Sequence, residues 1–156
     1  MIAIDIPGFG EVKVEHLVSD FSGTLSVDGI LLPGVKKQLN RIAKILNIHI
    51  ITADTFGMVH NELIEVNCII NILSGSDHDL QKEEYIKKIG PDKVVALGNG
   101  KNDRKMLKLA RIGIAVTEGE GCSVDALMAA NLHVKTAIEG LDLLLNPKRL
   151  KATLRF

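Results

Sequence analysis

Three short segments place a carboxylate or a hydroxyl group beside small residues: DFSGT at 20–24, TAD at 52–54 and GNGKND at 98–103. A carboxylate flanked by small residues can attack phosphorus while nearby backbone N–H groups hold the phosphate oxygens. The carboxylates of Asp20 and Asp103 and the carbonyl of Asn99 also offer the hard oxygen ligands that Mg²⁺ prefers. The pattern therefore indicates phosphoryl chemistry assisted by a divalent cation.

Phosphoryl chemistry also needs a positive charge near the phosphoryl group, and Lys82, near the start of a predicted helix, is placed to supply it. Each of these features alone has an ordinary structural explanation. The DFSGT segment is typical of a turn, Asn102 or Asp103 could cap a helix, and a single lysine is usually a solvated charge. The chemical interpretation is favoured because each feature lies where the predicted fold builds its site.

Hydrophobic periodicity predicts strands and helices that alternate along most of the chain. An N-terminal hairpin is expected, with Ile2, Ile4 and Ile6 in its first strand and a second strand that ends at Asp20. Beyond the hairpin, strands are predicted at 48–51, 68–72, 94–97, 112–116 and 132–134. Helices are predicted at 35–46, 56–65, 79–89, 103–110, 123–130 and 137–145, followed by a basic, weakly amphipathic tail at 146–156.

Strands that are separated by single helices run parallel and are covered by helices on both faces. The expected fold is therefore α/β, a doubly wound, mostly parallel sheet in a single domain over residues 1–156. In such a sheet, ligands bind beyond the carboxyl ends of the strands. Because each of the three segments follows a predicted strand, we expect them to converge on one edge of the sheet.

Composition excludes several classes of function. The chain has 19 basic and 19 acidic residues, no Trp and one Tyr, so it lacks the charge and the stacking surfaces of a nucleic-acid-binding protein. Its apolar runs are too short to span a membrane. Cys68 and Cys122 are too few for a disulfide framework, and no export signal is recognised, so a cytoplasmic protein is expected.

The three segments, in this order, resemble those of the haloacid dehalogenase superfamily of phosphotransferases. The similarity is greatest to the phosphorylation domain of P-type ATPases and to its soluble relatives. DFSGT resembles the ATPase signature Asp-Lys-Thr-Gly-Thr, TAD resembles Thr-Gly-Asp, and GNGKND resembles Gly-Asp-Gly-x-Asn-Asp. Lys82 falls where the family keeps its lysine, residues 111–116 resemble the Asp-Ile-Gly-Ile-Ala run that follows, and the resemblance covers residues 14–134.

This resemblance implies a phosphoaspartate mechanism. Asp20 would be the nucleophile, and Ser22 would stand at the catalytic position where the family's phosphatases carry a general acid/base. The phosphate-binding residues would be Gly23, Thr24, Thr52, Ala53 and Lys82. The cofactor Mg²⁺ would be held by Asp20, the backbone carbonyl of Ser22, the Asn99 side chain and Asp103, with Asn102 in support.

Two positions depart from the family pattern. The phosphatases carry a second aspartate where this chain has Ser22, and a serine has no titratable proton near neutral pH. Because the ATPases have threonine there, formation of the phosphoaspartate is still expected, but its hydrolysis should be slow. Asn99 stands where the family has a metal-binding aspartate, so Mg²⁺ binding should be weaker unless Asp103 compensates.

The spacing of the segments leaves no room for a cap domain. One helix is expected between Thr24 and Thr52, and one helix and one strand between Thr52 and Lys82. Ion pumping is therefore not expected, and nucleotide binding has no evident site. An uncapped site would accept a bulky phosphorylated substrate or be bordered by a second copy of the chain. The tail at 146–156 is a candidate contact element for a homo-oligomer, unless it docks on its own sheet.

Two functions remain open from the sequence. The favoured one is a magnesium-dependent phosphatase or phosphotransferase that acts on a phosphorylated small molecule or a phosphoprotein. The joint presence of nucleophile, phosphate-binding and metal-binding positions supports it. The alternative is a regulatory or binding domain that keeps the fold while the residues at Ser22 and Asn99 have weakened catalysis.

Overall fold

In the computed structural model, which describes residues Met1–Phe156, six parallel strands form a central sheet beside two small antiparallel hairpins. The strands are β1 (Ile2–Ile6), β2 (Gly10–Val14), β3 (His16–Ser19), β4 (Ser26–Val27), β5 (Ile30–Leu31), β6 (Asn47–Thr52), β7 (Ile69–Ile72), β8 (Val94–Gly98), β9 (Ile112–Val116) and β10 (Leu132–Val134). The helices are α1 (Val35–Ile42), α2 (Val59–Glu62), α3 (His78–Ile89), α4 (Arg104–Leu109), α5 (Val124–Ala129), α6 (Ala137–Leu145) and α7 (Pro147–Leu154). Two 3₁₀ helices lie at Pro91–Lys93 and Lys101–Asp103, and no helix is long and apolar enough to cross a membrane.

The strand order in the central sheet is β10-β9-β8-β3-β6-β7, which confirms the predicted doubly wound, parallel fold. β3 is the first strand of this sheet along the chain; β6 and β7 follow on one side of it, and β8, β9 and β10 follow on the other side. In the register, Ser19 of β3 lies beside Ile50 of β6 and Leu97 of β8. This reversal of direction at β3 creates the crevice in which doubly wound sheets bind ligands.

Both faces of the inner strands are buried, as expected for a parallel sheet, whereas no residue of the edge strand β7 is buried. On one face, Leu17, Ile48 and Ile50 belong to a larger apolar core that includes residues of α1, α6 and α7. On the other face, Val18 and Ile51 belong to a smaller core with residues of α3, α4 and α5. Successive residues of a strand point to opposite faces, so the two helix layers are held by alternate side chains of the same strands.

The N-terminal hairpin is shorter than predicted. β1 and β2 pair antiparallel, and β2 ends at Val14. The prediction that its second strand continues to Asp20 is wrong, because the chain changes sheets at Glu15. The N–H of Glu15 donates to the Lys93 carbonyl at 2.9 Å, and its carbonyl accepts from the N–H of Asn47 at 2.9 Å. From this residue onward the chain lies between β8 and β6 and forms the centre of the parallel sheet.

Two further elements are missing from the sequence prediction. β4 and β5 form a small hairpin between Thr24 and α1, where a helix alone is expected. The tail forms α7, whose Leu150 and Leu154 are buried in the larger core, so the tail docks on its own chain rather than offering these residues to a partner. The predicted helix at 56–65 is also too long, since α2 has only four residues.

A chain of two partly buried hydrogen bonds joins His16, His49 and Tyr85. His16 Nδ1 lies 3.0 Å from His49 Nε2, and His49 Nδ1 lies 2.8 Å from the Tyr85 hydroxyl. Burial lowers the pKa of His16 and of His49, so both rings favour the neutral form. Because these residues belong to β3, β6 and α3, the chain fixes α3 against two central strands.

Candidate functional site

Asp20 lies at the carboxyl end of β3, in the middle of the sheet, and is only 6% exposed. Its backbone N–H donates to the Leu97 carbonyl at 3.0 Å, which holds it against the end of β8. Its Oδ1 accepts from Lys82 Nζ at 2.8 Å, and its Oδ2 lies 3.3 Å from the Thr24 hydroxyl. The carboxylate is therefore fixed by a cation on one side and by a hydroxyl group on the other.

Lys82, on α3, is fully buried between two carboxylates. Besides Asp20, its Nζ donates to Asp103 Oδ1 at 2.6 Å. Burial alone lowers the pKa of Lys82, but the charges of Asp103 and Asp20 outweigh this effect and raise it above the usual value of a lysine. Burial and the charge of Asp103 raise the pKa of Asp20 to about 7, against the opposing effect of Lys82. Lys82 therefore stays charged, whereas Asp20 changes between its protonated and its ionised form near neutral pH.

Asp103 closes the loop that follows β8. Its Oδ2 accepts from the backbone N–H groups of Asn99 at 3.0 Å and Gly100 at 2.8 Å, while its Oδ1 accepts from Lys82. Both oxygens therefore have partners within the protein. Asp103 positions Lys82 and shapes the 98–103 loop.

Both polar atoms of the Asn99 side-chain amide make hydrogen bonds. Its Oδ1 accepts from the Thr24 hydroxyl at 3.0 Å, and its Nδ2 donates to the Gly121 carbonyl at 3.0 Å. Gly23, with φ of 79°, packs so closely against this amide that a Cβ at position 23 would lie 2.5 Å from Asn99 Nδ2. Only glycine suits both that backbone conformation and that distance.

The oxygens of three side chains converge in a way that fits a divalent cation: Asp20 Oδ2, Thr24 Oγ1 and Asn99 Oδ1. The Thr24 hydroxyl joins the other two at 3.3 and 3.0 Å. A carboxylate, an amide carbonyl and a hydroxyl are the hard donors that Mg²⁺ accepts. The set contains one carboxylate only, so it attracts a cation less strongly than a set with two.

Thr52 is the last residue of β6, the strand next to β3, and it is buried at the same end of the sheet as Asp20. Its hydroxyl oxygen accepts from the backbone N–H of Asp54 at 3.0 Å, and Ala53 is half-buried between the two. The Asp54 carboxylate accepts from two backbone N–H groups at the start of α2 and therefore caps that helix. The TAD segment lies at the predicted edge of the sheet.

Ser22 and Asn102 lie outside the network of side-chain hydrogen bonds around Asp20. Ser22 is half-buried and bridges to Ser26 at the start of β4. Asn102 lies over Gly100, where its Oδ1 would be 2.8 Å from a Cβ at position 100. The predicted residues that are joined to one another by hydrogen bonds of their side chains are Asp20, Thr24, Lys82, Asn99 and Asp103.

The loop after β9 is a part of the site that the sequence prediction misses. Besides the hydrogen bond between Asn99 and Gly121, the N–H of Ser123 donates to the Asn99 carbonyl at 2.7 Å. The two atoms that the loop contributes, the Gly121 carbonyl and the Ser123 N–H, belong to the backbone, so the residue types do not indicate these contacts. The signal that could have revealed the loop is its position, because it follows a strand of the same sheet as the three predicted segments do.

A groove on the surface lies away from the residues around Asp20. It has a volume of about 480 Å³, lies between α4 and α5, and is lined by Arg104, Lys105, Lys108, Asp125, Met128 and Ala129. None of these residues belongs to the contacting set around Asp20. The candidate site is therefore defined by its polar contacts and its place in the sheet rather than by a deep pocket.

Comparison with protein families finds that residues 78–121 match the haloacid dehalogenase-like hydrolases. An uncharacterized protein of Methanocaldococcus jannaschii is 45% identical over 73 residues, which cover 46% of this chain and 78% of that protein. A protein of Arabidopsis thaliana named as a copper-transporting ATPase is 32% identical over 130 residues. That match covers 78% of this chain but 13% of the ATPase, so the chain spans a small part of it.

Solved structures of 3-deoxy-D-manno-octulosonate 8-phosphate phosphatases have the same fold. The cobalt-bound protein of Haemophilus influenzae has a TM-score of 0.71 and 10% identity, with 92% of this chain and 94% of that chain covered. The protein of Moraxella catarrhalis, in complex with magnesium, phosphate and the sugar acid, has a TM-score of 0.64 and 19% identity, with 91% and 94% covered. The TM-scores show that the fold is shared, and at such low identities the similarity shows the fold alone.

Proposed function

Because this chain belongs to the haloacid dehalogenase-like hydrolases, we propose that it is a magnesium-dependent phosphomonoesterase that works through a phosphoaspartate on Asp20. The observation that carries the proposal is the buried contact of Lys82 with both Asp20 and Asp103 at the carboxyl end of β3. A carboxylate held in this way can attack phosphorus while the neighbouring cation attracts the phosphoryl oxygens. A simple turn at DFSGT would need no buried lysine.

In the proposed reaction, a carboxylate oxygen of Asp20 forms a bond to phosphorus as the bond from phosphorus to the leaving-group oxygen breaks. The leaving group then takes a proton. Water attacks the phosphorus of the phosphoaspartate, the bond to Asp20 breaks, and inorganic phosphate is released. Thr52 and Lys82 would hold the phosphoryl oxygens, with the backbone of residues 23–24 and Ala53 beside them.

The cofactor would be held by Asp20, Asn99 and the backbone carbonyl of Ser22, and when bound it supplies positive charge against the phosphoryl group. The distances from the Thr24 hydroxyl support the assignment of Asp20 and Asn99, because an oxygen of each side chain lies within 3.3 Å of this one hydroxyl group. Asp103 would support the site indirectly, because its hydrogen bonds hold Lys82 and the 98–103 loop in place.

Ser22 would make the enzyme slow. A positioned acid or base contributes about 10²- to 10⁴-fold to proton transfer in such steps, and a serine cannot supply it near neutral pH. Formation of the phosphoaspartate needs no proton from residue 22 when the leaving group is a good one. Hydrolysis of the intermediate is therefore the step that we expect to limit the rate, and the phosphoenzyme should accumulate.

For the substrate, we propose a phosphorylated small molecule. The support is the fold shared with phosphatases that are named for an octulosonate phosphate. The short connections on either side of Thr52 are consistent with this. They contain only the hairpin of β4 and β5 with α1 on one side and α2 with β7 on the other, so no separate domain covers the crevice.

A second candidate is a regulatory or binding domain. The specific observation in its favour is that Ser22 and Asn99 both replace carboxylates of the family pattern. Such a domain would bind Mg²⁺ and inorganic phosphate at Asp20 without turning over a phosphate ester.

Hydrolysis of para-nitrophenyl phosphate, measured with Mg²⁺ and with EDTA, tests the proposal. We expect slow, Mg²⁺-dependent turnover by the wild type and an acid-stable phosphoenzyme, both of which Asp20→Asn should lose. Asp92→Asn is the matched control, because Asp92 is exposed in the 3₁₀ helix before β8 and is far from Asp20 along the strand. Full turnover by Asp20→Asn would disprove the mechanism, and phosphate binding without turnover by the wild type would favour the second candidate.

A further inference from the structure

The first turn of α3, which leads to Lys82, has no apolar anchor of its own. No residue at 74–81 is buried, and Leu80, the one apolar side chain of that turn, is 45% exposed. The start of the helix also lacks a side-chain cap. The apolar contacts of α3 begin further along, where Ile86 belongs to the smaller core and Tyr85 packs against it. Polar contacts must therefore hold the first turn of α3 in place.

Lys82 depends on the position of this turn, because its ammonium group must reach two carboxylates at once. Its Nζ lies 2.6 Å from Asp103 Oδ1 and 2.8 Å from Asp20 Oδ1. A buried ion pair is favourable only when its geometry is good. Lys82 belongs to α3, whereas Asp103 ends the 3₁₀ helix Lys101–Asp103. The distance between these two helices therefore decides whether Lys82 bridges both carboxylates.

Arg104 joins the two helices outside the buried ion pair. Its Nη1 donates to the Lys101 carbonyl at 2.9 Å, and its Nη2 donates to Asp79 Oδ2 at 2.9 Å. Asp79 lies one helical turn before Lys82, on the same face of α3. The guanidinium is planar and presents its donors in fixed directions, so one side chain can hold both partners at a set distance. The side chains of Arg104 and Asp79 are 35% and 21% exposed, so water reaches this link only in part.

Lys105 contacts the same carboxylate but makes no such link. Its Nζ lies 3.0 Å from Asp79 Oδ2, and it makes no hydrogen bond to the 3₁₀ helix. The hydrogen bond from Lys105 lowers the pKa of Asp79 and so keeps this carboxylate charged. Arg104 and Lys105 therefore share one charged partner and differ in one contact, the hydrogen bond of Arg104 to the Lys101 carbonyl.

We propose that Arg104 is a positioning residue: by tying α3 to the 3₁₀ helix before α4, it holds Lys82 where it bridges the two buried carboxylates. Its effect on catalysis rests on the proposed phosphatase function, in which Lys82 holds the phosphoryl oxygens. Arg104 itself contacts none of the reacting atoms. Without this link, the first turn of α3 separates from the 3₁₀ helix more often, and water reaches the Lys82 ammonium group.

Proton exchange at Lys82 tests the position of this side chain in the metal-free protein. With isotope-labelled lysine, NMR should show ammonium protons of Lys82 that exchange slowly with water, because the group is fully buried between two carboxylates. Arg104→Met keeps an unbranched side chain but removes both contacts, and it should speed this exchange about tenfold. Lys105→Met is the matched control: it removes one positive charge beside the same carboxylate and should leave the exchange rate unchanged.

Formation of the phosphoenzyme from para-nitrophenyl phosphate tests the effect on the reaction. In single-turnover measurements at saturating Mg²⁺, Arg104→Met should slow this step about tenfold, because a displaced cation stabilises the phosphoryl charge less well. Arg104→Lys keeps the charge but lacks the fork, so it should recover only part of the rate. Asp79→Asn should act like Arg104→Met, and the double variant should be little slower than either, because both changes break the same link. Lys105→Met should form the phosphoenzyme at the wild-type rate.

The outcomes separate this inference from the function on which it rests. Wild-type exchange at Lys82 in Arg104→Met would overturn the inference, and so would Lys82 protons that exchange too fast to observe in the wild type. Equal changes in Arg104→Met and Lys105→Met would overturn it as well, since they would show an effect of surface charge alone. Faster exchange with an unchanged rate of phosphoenzyme formation would overturn the role in the reaction. If the wild type forms no phosphoenzyme and has no Asp20-dependent turnover, the phosphatase function fails, and the exchange rates alone decide whether Arg104 positions Lys82.

Discussion

The side-chain amide of Asn99 donates a hydrogen bond of 3.0 Å to the backbone carbonyl of Gly121. This bond joins the loop after β8 to the loop after β9, and it requires an N–H donor on residue 99. An aspartate, which the family resemblance leads one to expect at this position, has only acceptors. The asparagine therefore has a structural reason that the sequence pattern alone does not reveal.

Asn99→Asp should lower the free energy of unfolding by about 1–3 kcal/mol in EDTA, because the Gly121 carbonyl loses its donor and faces a carboxylate. Mg²⁺ should restore part of this loss, since the added charge attracts the cation. Asn131→Asp is the matched control: the Asn131 oxygen accepts from the N–H of Gly113 at 2.7 Å, and an aspartate keeps that acceptor. Urea unfolding with and without Mg²⁺ measures both variants, and an Asn99→Asp protein as stable as the wild type in EDTA would contradict the prediction.

Asp20→Asn should make the metal-free protein more stable at alkaline than at acidic pH, relative to the wild type. Burial and the charge of Asp103 raise the pKa of Asp20 from 3.8 to about 7, so the folded protein holds this proton more tightly than the unfolded chain. The unfolding free energy of the wild type therefore falls as the pH rises between these two values, and it stays low above them.

Asparagine has no proton to lose, so the variant lacks this decline. Thermal unfolding in EDTA at about pH 5 and about pH 8 checks the sign: the gain in Tm on substitution should be larger at the higher pH. The same gain at both pH values would mean that Asp20 titrates normally in the folded protein.

Ser22→Asp should speed hydrolysis of the phosphoaspartate. The new carboxylate supplies an acid/base at the position where the family's phosphatases have one, which contributes about 10²- to 10⁴-fold when it is well placed. It also adds a negative charge near Asp20, and Asn99 offsets this because the site carries one carboxylate fewer than the family pattern. Single-turnover kinetics with acid-quench trapping measures the lifetime of the intermediate. A wild type that never accumulates phosphoenzyme, together with a variant that is no faster, would refute the role of this position.

Leu150→Ala should lower the free energy of unfolding by about 2–5 kcal/mol, as expected for a leucine removed from a packed core. Leu150 is 3% exposed and lies in the larger core together with residues of β1 and β2. Lys148→Ala, an exposed change on the same helix, is the control and should be nearly neutral. If the two variants are equally stable, α7 contributes nothing to the core.

The sheet and the main cluster could be predicted because their signals are local or ordered. Each strand from β6 onward is separated from the next by a helical pattern, and parallel strands bring their carboxyl ends to one edge. Lys82 is the clearest case: its residue type alone is uninformative, yet its place between the TAD and GNGKND segments puts it beside Asp20, where the structure has it. The role of Lys82 in the reaction stays a prediction.

The elements that escaped prediction lack such signals. Two strands of two residues each, β4 and β5, are too short to show any periodicity. The chain between Val14 and His16 carries no turn residue, so the change of sheet at Glu15 cannot be read from residue types. The partner of Asn99 on the loop after β9 is a backbone carbonyl, which every residue has.

The hydrogen-bonded chain of His16, His49 and Tyr85 limits how many protons this part of the protein can hold. The hydrogen bond between the two rings has room for one proton, so one imidazole can become charged but not both while that bond persists. In the unfolded chain, both histidines titrate independently near 6.5. Unfolding in mild acid therefore takes up extra protons. As the pH falls below the ordinary pKa of histidine, the hydrogen-bonded chain that attaches α3, the helix with Lys82, is therefore destabilised.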